Sequence, residues 1–158
     1  MAKRIARFEK VSEEQYNKDS ILAYEDIILP KRATKGSAGY DFFSPVDIIL
    51  EPECTVRIPM GIRCKMEEDW VLLLVPRSSL GFKYRLQLDN TIGVIDSDYY
   101  YAKNEGHIMI KLTNDSKNGD ILEIKKGDAI AQGIFVQYGI TEDDDVMTER
   151  TGGFGSTN

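Results

Sequence analysis

The sequence is short of several things that would each have pointed to a particular chemistry. It has one histidine, His107, on an alternating run with no partner at ligand spacing, so it is expected at the surface or the edge of a core and not in a metal site. It has two cysteines, Cys54 and Cys64, with no secretion signal ahead of them. Such a pair is expected reduced and buried, with no chemistry of its own. No stretch approaches the about eighteen apolar residues of a membrane span, and the N-terminal MAKRIARFEK is charged without an apolar centre. A soluble, cytoplasmic protein is expected. No GxxxxGK(S/T) follows a strand, which excludes a P-loop enzyme, and no internal repeat is visible. Basic residues are outnumbered 20 to 26, for a net charge of -6. Counterion release on nucleic acid or an anionic membrane needs a basic face, so neither is an expected partner. An anionic ligand would need local arginines or a metal.

The 158 residues are enough for one domain that buries a core without disulfides. We expect it to span 1–140, with a flexible tail over 141–158. Residues 4–11 read as a first strand. Ser12 followed by Gln15 fits a capping box, so a short, peripheral helix is expected near 12–20. From Asp41 to Tyr138 the pattern is strand and turn throughout. In HIMIKL, Ile108, Ile110 and Leu112 share one face, and His107, Met109 and Lys111 the other. DSKNGD and Gly127-Asp128 mark turns. Many short strands separated by glycine turns predict an all-β sandwich or jelly-roll barrel.

Two stretches carry chemistry. The apolar run Trp70 to Val75 stops at Pro76 and delivers Arg77, Ser78 and Ser79 to one end of a sheet. A second apolar segment, Ile92 to Ile95, ends in Asp96 and Asp98 with Tyr99 beside them. The first suits an anion clamp and the second an acid or base. The tail TERTGGFGSTN reads either as a disordered end or as a lid, in which glycine-rich backbone and Arg150 meet an anion and Phe154 stacks on a planar base.

AGYDFF (38–43), PRSSLGFK (76–83), GVIDSDYY (93–100), KGDAIAQGIF (126–135) and RTGGFGST (150–157) occur in the order of the motifs of the trimeric dUTPases, and the chain resembles that family from about residue 27 onward. The resemblance implies a β jelly roll, hydrolysis of dUTP to dUMP and pyrophosphate, and a homotrimer whose sites lie between subunits. The second and fourth motifs would come from one chain, the third from another and the tail from a third. Asp96 would orient and deprotonate the attacking water, with Asp98 more structural. Arg77, Ser78, Ser79 and Gln132 would hold phosphate, with Gly81 allowing close backbone approach. Asn90 and backbone near Gly93 and Ile95 would read uracil, and Tyr99 would pack against the deoxyribose. Arg150, Phe154, Gly155 and Ser156 would close over the nucleotide. Mg²⁺ would be held mainly by the phosphates and water, with Asp41 touching its hydration shell or acting structurally.

Each assignment has a plainer counterpart: a turn-capping Asp96, an exposed strand Tyr99, a Gln132 that satisfies edge backbone. Two departures stand out. YYAKN (100–104) is inserted before Glu105-Gly106, and only Thr151 separates Arg150 from Gly152 where one more residue is usual. A dCTP deaminase shares the implied fold but would need a glutamate over the base. A jelly-roll interaction protein that keeps the pocket as a switch would use the 12–29 segment and the insertion to meet a partner.

Overall fold

The computed structural model describes residues 3–150 and 152. Eleven strands and two short helices follow in order: β1 (Ala6–Lys10), α1 (Glu13–Asp19), β2 (Tyr40–Phe43), β3 (Ile48–Leu50), β4 (Thr55–Pro59), β5 (Ile62–Met66), β6 (Trp70–Pro76), α2 (Ser78–Tyr84), β7 (Leu86–Leu88), β8 (Gly93–Ile95), β9 (Met109–Asn114), β10 (Leu122–Ile124) and β11 (Ala129–Gln137). All pairings are antiparallel. The largest sheet runs β2-β11-β6-β8, a second runs β4-β9-β7, and β1-β5 and β3-β10 form two-stranded ribbons. Strands far apart in the chain sit side by side, as the jelly-roll expectation requires. The turn at Gly127 shows the device: β10 before it pairs with β3, whereas β11 after it pairs with β2 and β6. It is a corner between sheets, not a hairpin.

Alternation decides which side chains go inside. In β9 and just before it, Ile108, Ile110 and Leu112 are buried, whereas Lys111 is exposed. Leu72 and Leu74 of β6 join Phe42, Ile58, Ile62, Leu86 and Leu122 in one continuous core. Burial of each such side chain is worth about 1.5–3 kcal/mol, so this core outweighs any surface ion pair.

Three features differ from the sequence expectation: the setting of α1, the stretch after Pro76 and Cys54. Helix α1 starts at Ser12 as read, with the Ser12 Oγ accepting from the Gln15 N–H, but it is not peripheral, because Tyr16 is fully buried. The stretch after Pro76 is a helix and not a loop; nothing between Ser78 and Tyr84 breaks a helical turn except Gly81, and a single glycine costs only about 1 kcal/mol. Cys64 is buried and burial pushes its thiol up to about 12, as befits an inert core residue. Cys54, expected inside, is exposed, because it lies in the turn between β3 and β4, outside the alternating strands.

Candidate active site

Strand β8 lies against β6 with Ile95 opposite Leu72 and Gly93 opposite Leu74. A Cβ at Gly93 would come within 3.0 Å of the Leu74 Cβ, so a small residue suits this crossing. The chain leaves the sheet at Asp96 and winds into a 3-10 turn over Ser97–Tyr101, with the Tyr99 N–H donating to the Asp96 carbonyl at 3.2 Å. That geometry turns both carboxylates outward, and the Asp96 and Asp98 side chains are 49% and 53% exposed. Arg150 spans them: its Nη2 donates to Asp96 Oδ2 at 2.6 Å and its Nε to Asp98 Oδ1 at 2.8 Å. The same guanidinium lies 5.8 Å from the centre of the Tyr99 ring. Residues 138–149, which deliver Arg150, are exposed and form neither strand nor helix.

Tyr99 is no exposed strand tyrosine; only 4% of it is accessible, and burial raises its phenol above the ordinary value. Its hydroxyl donates to the His107 carbonyl at 2.7 Å and accepts from Asn104 Nδ2 at 2.8 Å. His107 itself is a correction to the sequence reading: it is 0% exposed. Its Nε2 accepts from the Gly61 N–H at 2.8 Å, so Nδ1 carries the proton and faces Asp19 Oδ2 at 2.8 Å. Burial holds this imidazole below its ordinary value despite the carboxylate. Period-two alternation put His107 outside with Lys111, but β9 begins only at Met109, so His107 belongs to the preceding turn.

The turn between β7 and β8 carries Asn90, which is exposed. It bridges two sheets, since β7 pairs with β9 and β8 with β6. Asp89 anchors it: the carboxylate accepts from Lys111 Nζ at 2.7 Å and from the Thr113 hydroxyl, and the Lys111 bond holds it below the usual carboxylate range. Neither Asp89 nor Asn104 stood out in the sequence; the one available signal was that each adjoins a residue already singled out.

The remaining polar motifs gather at the far end of the large sheet. Arg77, Ser78 and Ser79 open α2 and are exposed, with Gly81 in its first turns. A Cβ on Gly81 would meet nothing of this chain closer than the Leu86 carbonyl at 4.0 Å. On β11, Ala131 sits opposite Pro76, and Gln132 lies between Val75 on one side and Asp41 on the other. The Gln132 side chain runs across Gly39, where an added Cβ would fall 2.3 Å from Gln132 Oε1. The first, second and fourth motifs therefore meet here.

The third motif does not join them. Asp96 is level with Val71, six residues along β6 from Arg77, and at about 3.3 Å per residue the two lie about 20 Å apart. One chain thus carries its polar motifs in two groups at opposite ends of one sheet. Within the chain Arg150 reaches the third motif; a guanidinium fork matches paired carboxylates, and the exposed link from Tyr138 is long enough to bring it there. Phe154, Gly155 and Ser156 lie outside the described residues. Among the described residues no three His, Cys, Asp or Glu side chains cluster closely enough to hold a metal ion, and no helix is long and apolar enough to cross a membrane.

Comparison with known proteins bears directly on this arrangement. A deoxyuridine 5'-triphosphate nucleotidohydrolase of Lactococcus lactis is 39% identical over 134 residues, covering 83% of this chain and 88% of the relative. The crystal structure of a dUTPase from Streptococcus mutans superposes with a TM-score of 0.68 at 32% identity, covering 85% of this chain and 98% of that one. A dUTPase from a Staphylococcus aureus phage, described as coordinating a structural Mg(II) ion, has the same fold at a TM-score of 0.66 and 24% identity, with coverage of 92% and 98%. The family model for dUTPase matches residues 25–158, and the chain belongs to the dUTPase family.

Proposed function

We infer that the protein hydrolyses dUTP to dUMP and pyrophosphate, keeping uracil out of DNA and supplying dUMP for dTMP synthesis. The observation that carries this, within a dUTPase chain, is the outward-facing Asp96 at the end of β8, next to a buried tyrosine, with Asn90 in the turn at the other end of that strand. Asp96 orients a water and takes its proton as the oxygen attacks the α-phosphorus. The bond to the bridging oxygen breaks, and pyrophosphate leaves with that oxygen. A carboxylate suits the task because it is ionised at neutral pH. Asp98 steadies the turn.

Arg77 binds phosphate oxygens through its charged fork, helped by the hydroxyls of Ser78 and Ser79, by backbone near Gly81, and by Gln132 from β11. Asn90 and the backbone of Gly93 and Ile95 take the uracil edge, in a turn too tight for a 5-methyl group. The Tyr99 ring lies under the deoxyribose. Arg150, with Phe154, Gly155 and Ser156, closes over the nucleotide, exchanging its carboxylate partners for phosphate. Mg²⁺ would be held mainly by the phosphates and water, with Asp41 beside its hydration shell. When bound, the ion neutralises charge on the phosphates and so makes pyrophosphate a better leaving group.

The separation of about 20 Å between Arg77 and Asp96 supports a homotrimer, in which each site joins half-sites of different chains. Work in the cytoplasm follows from a soluble nucleotide substrate. The test is pyrophosphate release with Mg²⁺ from dUTP, dTTP, dCTP and UTP. Release from dUTP alone, lost in Asp96→Asn, is expected. Binding of dUTP without pyrophosphate would overturn the hydrolase, and ammonia from dCTP would indicate a deaminase.

A further inference from the structure

The inserted residues 100–104 and helix α1 are parts of the sequence that the dUTPase resemblance leaves without a role. In the structure the residue that follows the insertion, Glu105, holds the start of the helix. The Glu105 carboxylate accepts from the Ser12 N–H at 2.7 Å and the Ser12 hydroxyl at 2.6 Å, supplying the half of the capping box that Gln15 leaves open. Gln15 instead donates to Asp19 at 3.0 Å, and Asp19 receives the buried His107. Tyr100 donates to Glu9 on β1 at 2.7 Å. The loop is closed tightly on itself: Gly106 has φ +70°, and a Cβ there would meet the Tyr99 carbonyl at 2.7 Å.

Asn104 sits at the centre of this closure. Its Oδ1 accepts from the Gly106 N–H at 3.2 Å, and its backbone carbonyl from the His107 N–H at 3.1 Å. Its Nδ2 donates to the Tyr99 hydroxyl. Because that hydroxyl gives its own proton to the His107 carbonyl, it must accept from Asn104, and the amide can face only one way. A buried phenol bound through both its proton and a lone pair cannot rotate or withdraw without leaving a polar atom unsatisfied. Tyr99 in turn donates its N–H to the Asp96 carbonyl.

We propose that Asn104 is a specificity-determining positioning residue, which fixes the Tyr99 ring against the sugar and so sets the preference for deoxyribose over ribose. This rests on dUTP hydrolysis as inferred above. Asn104 touches no reacting atom and acts through Tyr99, with α1 and the His107–Asp19 pair as the backing that keeps the loop in place. A ring free to shift by even part of an ångström opens the room a 2'-hydroxyl needs.

The experiment measures kcat/KM for dUTP, UTP and dTTP in the wild type, Asn104→Ala and Asn104→Asp. Asn104→Asp keeps the acceptor for Gly106 and puts a charged acceptor where the donor to Tyr99 stood, so it serves where Asn104→Ala does not fold. The expected result is a fall of about tenfold in the dUTP/UTP ratio in both, with the dUTP/dTTP ratio unchanged, since the base is read by the separate turn at Asn90. Combining Asn104→Ala with Tyr99→Phe should lose no more than either alone. An unchanged dUTP/UTP ratio would overturn the proposal, and so would a parallel fall in both ratios. A wild type that releases no pyrophosphate from dUTP would instead sink the hydrolase reading, and this proposal with it.

Discussion

The two ends of the large sheet are built in opposite ways. At the Asp96 end, the residues behind the carboxylates are buried or half-buried and bonded to one another, from Asn104 through Tyr99 and His107 to Asp19 on α1. At the Arg77 end, the arginine and both serines stand exposed at the start of a seven-residue helix with no side-chain cap. On the proposed function, the difference matches what each end would do. Selecting a sugar and base requires surfaces that do not yield, because a methyl or a hydroxyl is rejected only by a wall. Holding phosphate requires charge within reach, and long side chains adapt to the anion.

That contrast is broken most severely by Asp96→Asn, which removes the proton acceptor but keeps the shape. Turnover should drop by about 10³-fold, while dUTP binding measured by calorimetry stays close to wild type. Arg77→Ala should weaken dUTP binding about 10- to 100-fold through loss of a charge-assisted contact. Its thermal midpoint should not move, because the side chain is exposed. The reverse signature is expected of Gly106→Ala, which forces a positive φ on a residue with a Cβ in a crowded loop. Stability in urea should fall by about 2 kcal/mol.

Acid sharpens the comparison further. Burial keeps His107 below its ordinary value, amid Asp19, Arg57, Glu105 and the ring of Tyr16. The unfolded chain takes up this proton near pH 6.5 and the folded one only at lower pH. Stability is therefore complete above about pH 6.5 and declines as pH falls toward the folded value. Glu105, lowered chiefly by its bond to Ser12, adds a loss of the same sign at still lower pH. Denaturation curves from pH 7 to 5 should show the decline in the wild type, and a flatter profile in His107→Gln. The smallest effect belongs to Arg150→Gln: its partners are half exposed, so no more than about 1 kcal/mol of stability is at stake.

Much of this was legible in the sequence. The alternation of Ile108, Ile110 and Leu112 and the Ser12 cap rest on local rules, and the structure obeys them, while the order of the five polar motifs pointed to the family whose model the chain matches. What escaped was set by distant partners. His107 looked solvent-facing because its acceptor, Asp19, is 88 positions away on a helix read as peripheral. The α2 helix escaped because it buries none of its residues fully and leaves no apolar stripe to read. The gap between Arg77 and Asp96 follows from the register of β6 on β8, and register leaves no mark on either segment alone.

Gly39 and Gln132 give this chain a constraint on its descent. The amide of Gln132 occupies the space a methyl group at position 39 would need. The two positions lie on paired segments, yet they belong to different motifs. Neither is free to drift by itself: a lineage that gained a side chain at 39 would have to shorten or turn aside the residue at 132 in the same step or pass through a crowded intermediate. Across relatives, the two positions should therefore change together or not at all.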